Sequence, residues 1–277
     1  MRLLLCTVLF TLAACGQQPA GEPVMRTEIG SGKAERTEKA QTQPEPLPAP
    51  TVASACRTIM FEEARFTHCV ADAKLHRIVT DLGPAGGPPY RSLANLAASR
   101  PADAAPVAFA VNGGMFDDEG KPIGYYVEGG KRLKELNRND GTGNFHLKPN
   151  GVFFGTGSKW QVRTADDFFA NVADRPEFGT QSGPMLVIGG KIHPEITENG
   201  PSRTIRNGVG VDAAGRAHFV QSAGAVSFGV LARLFRDELK TPNALYLDGS
   251  VSSLWDPASE RLDIRAPLGP LIIVETR

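Results

Sequence analysis

Neither sign of charge is in excess: Lys and Arg number 30, Asp and Glu 30, and the formal net charge at pH 7 is +0. A nucleic-acid or membrane-surface protein driven by bulk charge is therefore excluded. The familiar catalytic signatures are missing as well. There is no G-x-S-x-G elbow, no P-loop lysine motif and no H-E-x-x-H. The five histidines, His68, His76, His146, His193 and His218, are scattered, and no His/Cys cluster reads as a zinc site. No metal and no cofactor is called for. Gly208-Val209-Gly210 is a lone G-x-G, a weak signal, and the DAAG after it reads as a hairpin turn. No internal repeat is visible.

What the chain does have is 30 glycines and 21 prolines in 277 residues. That many turn formers point to a β-rich fold, and the length suits one large domain or two small ones. The N-terminus reads as an address. Met1-Arg2 brings a positive charge, Leu3 to Leu12 is apolar, and Ala13-Ala14 are small. The apolar run is too short to span a bilayer, which takes roughly 20 residues. Leu12-Ala13-Ala14-Cys15 resembles a bacterial lipobox, which makes Cys15 the lipidated residue; a secretory signal cut near Ala14 is the other reading. Gly16, with no aspartate there, points to the outer rather than the inner membrane. The expectation is a lipid-anchored protein on the periplasmic side of a bacterial envelope.

Residues 16–53 are rich in Pro, Glu, Gln, Thr and Lys without apolar periodicity, and read as a disordered tether. With 1–15 as the signal, one domain remains, about 54–277. Two cysteines fall in it. In an oxidising compartment Cys56 and Cys69 read as a disulfide, with two buried thiols as the alternative.

Strand signals fall at Thr58–Phe61, Arg65–Ala71, Leu75–Thr80, Val107–Val111, Gly151–Gly155, Met185–Ile188, Gly208–Val211, Ala217–Gln221, Ala244–Leu247 and Leu271–Val274. Helical stretches are predicted around Arg91–Ser99 and over Thr164–Val172 and Ser227–Leu239. The last has Ser227 as N-cap and Val230, Leu231, Leu234 and Phe235 on one face. Many strands and few helices, not strictly alternating, imply α+β: a single domain with a mixed, largely antiparallel β-sheet and a few flanking helices.

Five polar segments each abut an apolar run. They are AVNGGMFDDEGKP, GTGNFHLKPNGVFF, TQSGPMLVI, PSRTIRNGVGVD and YLDGSVSSLW. They carry Asn112-Gly113-Gly114, then Asn144, His146 and Asn150, then Gln181-Ser182-Gly183, then Arg203 and Arg206, then Asp248-Gly249-Ser250. Glycine pairs let a backbone approach a ligand and form an anion nest; an arginine can fork onto a phosphate. Alone, each segment reads as an ordinary turn. Together at strand ends they suggest a ligand site.

NGGMF, QSGPMLVI, RNGVGVD and NALYLDGSVS, in this order and at these separations, resemble the phosphodiester glycosidase family. The likeness covers about residues 54–277 and is nearest to short bacterial periplasmic or lipoprotein members. By motif, the family's Asn-Gly-Gly falls on Asn112, Gly113 and Gly114, and its Ser-Gly-Pro on Ser182, Gly183 and Pro184. Its arginine falls on Arg206, with Asn207 where threonine is usual. Its Leu-Asp-Gly-Gly falls on Leu247, Asp248 and Gly249, with Ser250 in place of the second glycine, and Met115 stands where an aromatic is usual.

The resemblance implies hydrolysis of a sugar-1-phosphate diester. Asp248 would act as base, nucleophile or stabiliser of the oxocarbenium-like carbon, and Arg206 would bind the phosphate. Asn112, Gly113 and Gly114 would hold sugar or phosphate, with Ser182, Gly183, Asn144, Asn207, Gly249 and Ser250 as further contacts. The implied partners are a carbohydrate or sugar-phosphate substrate and, through the lipid alone, a membrane; nucleic acid is not among them.

Plain alternatives stand beside each assignment. Asp248 can be a turn cap, and Arg206 can pair with Asp212 or Glu128. Asp117-Asp118-Glu119 is a solvated turn before it is a calcium loop. His146 reads as framework. Trp255 and Phe116 suit either a sugar stack or the core. As a whole, a glycan-binding lipoprotein without catalysis remains the rival class.

Overall fold

A computed structural model describes residues 53–277. The predicted signal, Cys15 and almost all of the tether lie outside these residues. The described part is one compact unit. In chain order its elements begin with β1 (Cys56–Phe61), β2 (Ala64–Ala71), β3 (His76–Asp81), α1 (Leu93–Ser99) and β4 (Val107–Asn112). Next come β5 (Tyr126–Glu128), β6 (Lys131–Lys134), β7 (Gly151–Thr156), β8 (Lys159–Thr164) and α2 (Ala165–Asn171). They are followed by β9 (Phe178–Ser182), β10 (Met185–Ile188), β11 (Lys191–Ile192), β12 (Asn207–Val211) and β13 (Ala217–Ser222). The last are α3 (Phe228–Arg233), β14 (Asn243–Tyr246), β15 (Leu254–Asp256), β16 (Arg261–Leu262) and β17 (Leu271–Thr276).

The strands form three sheets, not one. The first has the order β1-β2-β13-β12-β14-β10-β11, the second β16-β15-β4-β17-β3 and the third β6-β5-β9-β7-β8. Every strand pairing among the described residues is antiparallel. The α+β class is as expected.

Side chains alternate across a strand, and this alternation divides the interior. Phe219 of β13, Leu245 of β14, Phe109 and Val111 of β4, Ile272 and Val274 of β17 and Phe153 of β7 point into one shared core. At its centre the rings of Phe109 and Phe153 meet Phe219 edge-on, at 5.3 and 5.7 Å. The alternate residues face outward, and each sheet is backed there by one helix. Val220, Ala244 and Tyr246 meet α3 through Leu231 and the following Leu234 and Phe235. Ala110, Leu271 and Ile273 meet α1 through Leu93 and Leu96. Val152 and Phe154 meet α2 through Phe168.

Capping fixes the helix starts. Ser227 Oγ accepts from Val230 N at 3.2 Å, and Thr164 Oγ1 from Asp167 N at 3.1 Å. The predicted Ser227–Leu239 helix is α-helical only to Arg233 and continues as a π-helical turn over Leu234–Glu238. Cys56 and Cys69 are cross-strand partners in β1 and β2 and are joined in a disulfide.

Candidate active site

The run Asn243–Tyr246 is held as β14 between β12 and β10, with Gly208 opposite Tyr246 and Met185 opposite Leu245. Leu247 still donates to Asn207 O at 3.2 Å. At Asp248 the chain leaves the sheet and turns through a 3-10 helix over Gly249–Val251. Tyr246 explains the glycine. Its ring is buried and packs edge-on against Phe228, 4.7 Å between centroids. A Cβ on residue 249 would stand 2.0 Å from the Tyr246 hydroxyl, so only glycine fits. The serines close the turn: Ser252 Oγ donates to Gly249 O and Ser253 Oγ to Val251 O, both at 2.8 Å.

The Asp248 side chain is half-buried. Burial pushes its carboxyl above the ordinary value, and the Ser250 hydroxyl, donating to Oδ1 at 2.6 Å, pulls it back down. Ser250, which stands where the family has glycine, is thus a direct partner of the carboxylate.

Beneath this turn lies Asn112, the last residue of β4 and fully buried. Its Nδ2 donates to Asp248 O at 2.9 Å; its Oδ1 accepts from Asn207 Nδ2 at 2.7 Å and from Ser253 N at 3.0 Å. Asn207 starts β12, so these two asparagines tie the first sheet to the second directly below Asp248. Gly113 and Gly114 differ from the expected nest. Gly113 N–H donates to Pro270 O at 2.7 Å and Gly114 N–H to Thr180 Oγ1 at 3.0 Å. Both donors are committed inside the protein, and Asn112 is committed likewise. The role of Gly114 is close packing: a Cβ there would lie 2.0 Å from Gln181 O.

Ser182 ends β9, is fully buried, and its Oγ has no hydrogen-bond partner among the described residues. Gly183 leads into Pro184, whose carbonyl accepts from Tyr246 N at 3.1 Å. The main chain of Asn144 and Phe145 packs on Gly183, while the Asn144 side chain is exposed. His146 Nδ1 contacts Asn139 O at 3.1 Å, within the framework of its loop.

Arg206 is 1% exposed. Its Nε donates to Val226 O at 2.9 Å, and Nη2 to Ser202 O at 2.9 Å and Ser202 Oγ at 3.0 Å. The guanidinium lies 3.5 Å from the Phe228 ring centroid. Nη1 faces the Tyr246 hydroxyl at 3.4 Å. No carboxylate pairs with Arg206 among the described residues. The alternative partners are engaged elsewhere. Asp212 binds Arg216 and His218, at 2.7 and 3.0 Å, and Glu128 accepts from Leu82 N and the Tyr126 hydroxyl, at 2.9 and 3.2 Å. Burial without a counter-ion lowers the guanidinium pKa, and the positive charge is held by neutral oxygens and an aromatic face.

Asp248, Gly249, Asn112, Asn207 and Arg206 are thus brought together from the ends of three strands, β14, β4 and β12, and Pro184, just beyond the end of β9, joins them through Tyr246. Tyr246 is the link that sequence reasoning missed. It read as one more apolar residue of a strand, although a buried tyrosine needs a partner for its hydroxyl.

The model of the phosphodiester glycosidase family matches residues 105–267, which contain all of these groups. The uncharacterized protein YigE of Escherichia coli strain K12 is 37% identical over 171 residues, 62% of this chain and 66% of that protein, just under two thirds of its length. The catalytic domain of zebrafish N-acetylglucosamine-1-phosphodiester alpha-N-acetylglucosaminidase, solved in a form auto-inhibited by its pro-peptide, shares the fold. The TM-score is 0.54 at 16% identity, over 80% of this chain and 82% of that one. With the family model spanning more than half of the chain, this protein belongs to the phosphodiester glycosidase family.

Proposed function

We propose that this protein hydrolyses a glycosyl phosphodiester in the bacterial envelope, releasing free sugar and a phosphomonoester. The observation that carries the reading is one line of contacts. A half-buried carboxylate, Asp248, sits on a turn whose next residue rests on the Tyr246 hydroxyl, and that hydroxyl faces the unpaired Arg206. The carboxylate and the guanidinium are thus linked through Tyr246 and do not pair with each other.

The chemistry suits that pair. The bond from the anomeric carbon to the phosphate oxygen breaks, and its electron pair leaves with the phosphomonoester. That leaving group is stable as an anion, so it needs no proton donor, unlike the alkoxide of an ordinary glycoside. One carboxylate is then enough. Asp248 takes the proton of the attacking water or attacks the anomeric carbon itself, with water resolving the intermediate. Arg206 is buried and bonded to internal oxygens, so it is not placed to grip the phosphate directly; its uncompensated charge behind Tyr246 would favour negative charge growing on the phosphate at longer range. Lipidation at Cys15 would keep the domain at the membrane of its substrate.

The test is hydrolysis of a panel of sugar-1-phosphodiesters by the full chain, with sugar and phosphomonoester measured together. Release of both, lost in Asp248→Asn, is the expected result. Saturable binding with no release would instead make this a glycan-binding lipoprotein. Neither release nor binding across the panel would overturn the reading of the site.

A further inference from the structure

Away from Asp248, a groove of about 370 Å³ runs between α2 and the segment that follows β6. Its floor is Tyr125 and Phe168, whose rings meet at 4.8 Å. Its rim carries Arg132, Arg138 and Arg175. Phe169 is next to Phe168 on α2 but turned outward, and is 65% exposed. The Arg138 guanidinium lies 4.4 Å from its ring centroid.

Each of these features is costly or idle in a purely structural role. A large aromatic ring in water gives up its burial energy, and here Arg138 steadies the ring from one side. The Tyr125 ring is buried, at 5% exposure, its hydroxyl makes no hydrogen bond among the described residues, and the charges of Arg132, Arg175 and Glu135 act on it. Arg132 is matched by Glu135 at 2.8 Å and Arg138 by Asp166 at 3.0 Å, but Arg175 has no ion-pair partner among the described residues. An exposed aromatic platform, a hydroxyl and a free guanidinium in one groove are what a sugar ring bearing an anionic group requires. The ring stacks, the hydroxyl bonds and the arginine takes the charge.

The groove is also tied to the candidate site. Gln181, one residue before Ser182, accepts from Tyr125 N at 2.8 Å and from Asn137 N at 2.9 Å through one Oε1. Tyr125 lies in the floor, and Asn137 precedes Arg138 on the rim. One side chain near the end of β9 therefore holds the main chain of both the floor and one part of the rim.

We propose that this groove is a second carbohydrate subsite, which binds an anionic sugar unit, such as a phosphorylated one, by stacking on Phe169 and pairing with Arg175. Under the proposed function, which this deepens, it would anchor a longer glycan while one of its phosphodiesters lies at Asp248.

The test is calorimetric binding of sucrose octasulfate to the full chain, with sucrose and inorganic sulfate as controls. Octasulfate is expected to bind far more tightly than either control. Phe169→Ser and Arg175→Gln are each expected to weaken it about tenfold, and Tyr125→Phe to weaken it less. Phe169 and Arg175 are surface residues, so folding is retained and circular dichroism checks it. Asp248→Asn is expected to bind octasulfate as the unchanged protein does, which separates this site from the catalytic reading. If Arg175→Gln weakens binding but Phe169→Ser does not, the groove is a charge patch and the carbohydrate proposal fails. If neither substitution matters, or if sulfate binds as well as octasulfate, it fails too.

Discussion

Asn207 Nδ2 donates to Asn112 Oδ1 at 2.7 Å, deep inside the protein, where two sheets meet. The same Asn112 holds the Asp248 carbonyl at 2.9 Å and the Ser253 amide at 3.0 Å. A single amide side chain thus sets the height of the turn that presents Asp248. Threonine is usual in the family at position 207; here a longer side chain with two N–H donors reaches across to Asn112.

Asn112→Leu is expected to lower stability, because it leaves the Asp248 carbonyl, the Ser253 amide and the Asn207 amide without a partner. Each orphaned buried group costs about 1–3 kcal/mol. Denaturant unfolding measures the loss, and any protein that folds should show a lower kcat with a smaller change in KM, since the turn is no longer fixed. An unchanged midpoint would remove Asn112 from this role.

Gly249→Ala places a methyl group 2.0 Å from the Tyr246 hydroxyl and 2.6 Å from its Cζ. The ring is buried between Phe228 and the sheet and has nowhere to go, so the turn must move instead. We expect hydrolysis to fall by about 100-fold or more, as for other displacements of about 1 Å. Tyr246→Phe should not rescue it, because the ring carbon stays in place.

Ser250→Ala removes the hydrogen bond that favours the ionised form of Asp248. The Asp248 pKa then rises. If the carboxylate form does the work, the acidic limb of kcat/KM moves to higher pH. A limb that stays in place would mean that another group titrates there.

Asp81 offers a pH test of stability alone. Burial first, and the nearby Glu128 second, push its carboxyl up to about 6 from 3.8. The folded state therefore holds a proton that the unfolded state has lost between pH 3.8 and about 6. Stability from this group is full below that window and is lost as pH rises through it. Asp81→Asn should raise Tm at pH 7, and the gain should vanish near pH 4. A gain that is the same at both values would contradict this linkage.

The strands that the chain announces most clearly are those with one wholly buried face. Val107–Val111, Met185–Ile188, Ala217–Gln221 and Leu271–Val274 carry runs of apolar or β-branched residues, and each lies in a strand within a residue or two at its ends. The five polar segments could be found in the same way, since each breaks such a run. Phe178–Ser182 could not: FGTQS has a single large apolar residue, and the other four of its five buried positions are filled by small and polar groups, of which the Thr180 and Gln181 side chains find partners only in the folded protein. Lys131–Lys134 is exposed along its whole length and is a strand only because β5 lies beside it.

At the site the division is sharper. The sequence alone determined that Asp248 follows a buried strand, that a glycine comes next and that Arg206 precedes another strand, because local pattern and turn chemistry depend on neighbours in the chain. The tertiary structure decided the rest. Asp212 and Glu128 are partners for Arg206 as far as sequence tells, yet it folds against carbonyls, an aromatic face and the Tyr246 hydroxyl instead of a carboxylate. The amides of Gly113 and Gly114, free to bind an anion as far as sequence tells, face Pro270 and Thr180. Those partners are about 65 to 160 residues away along the chain, and hydrogen bonds are assigned by where strand register and sheet packing place each group. No property of the local sequence carries that information.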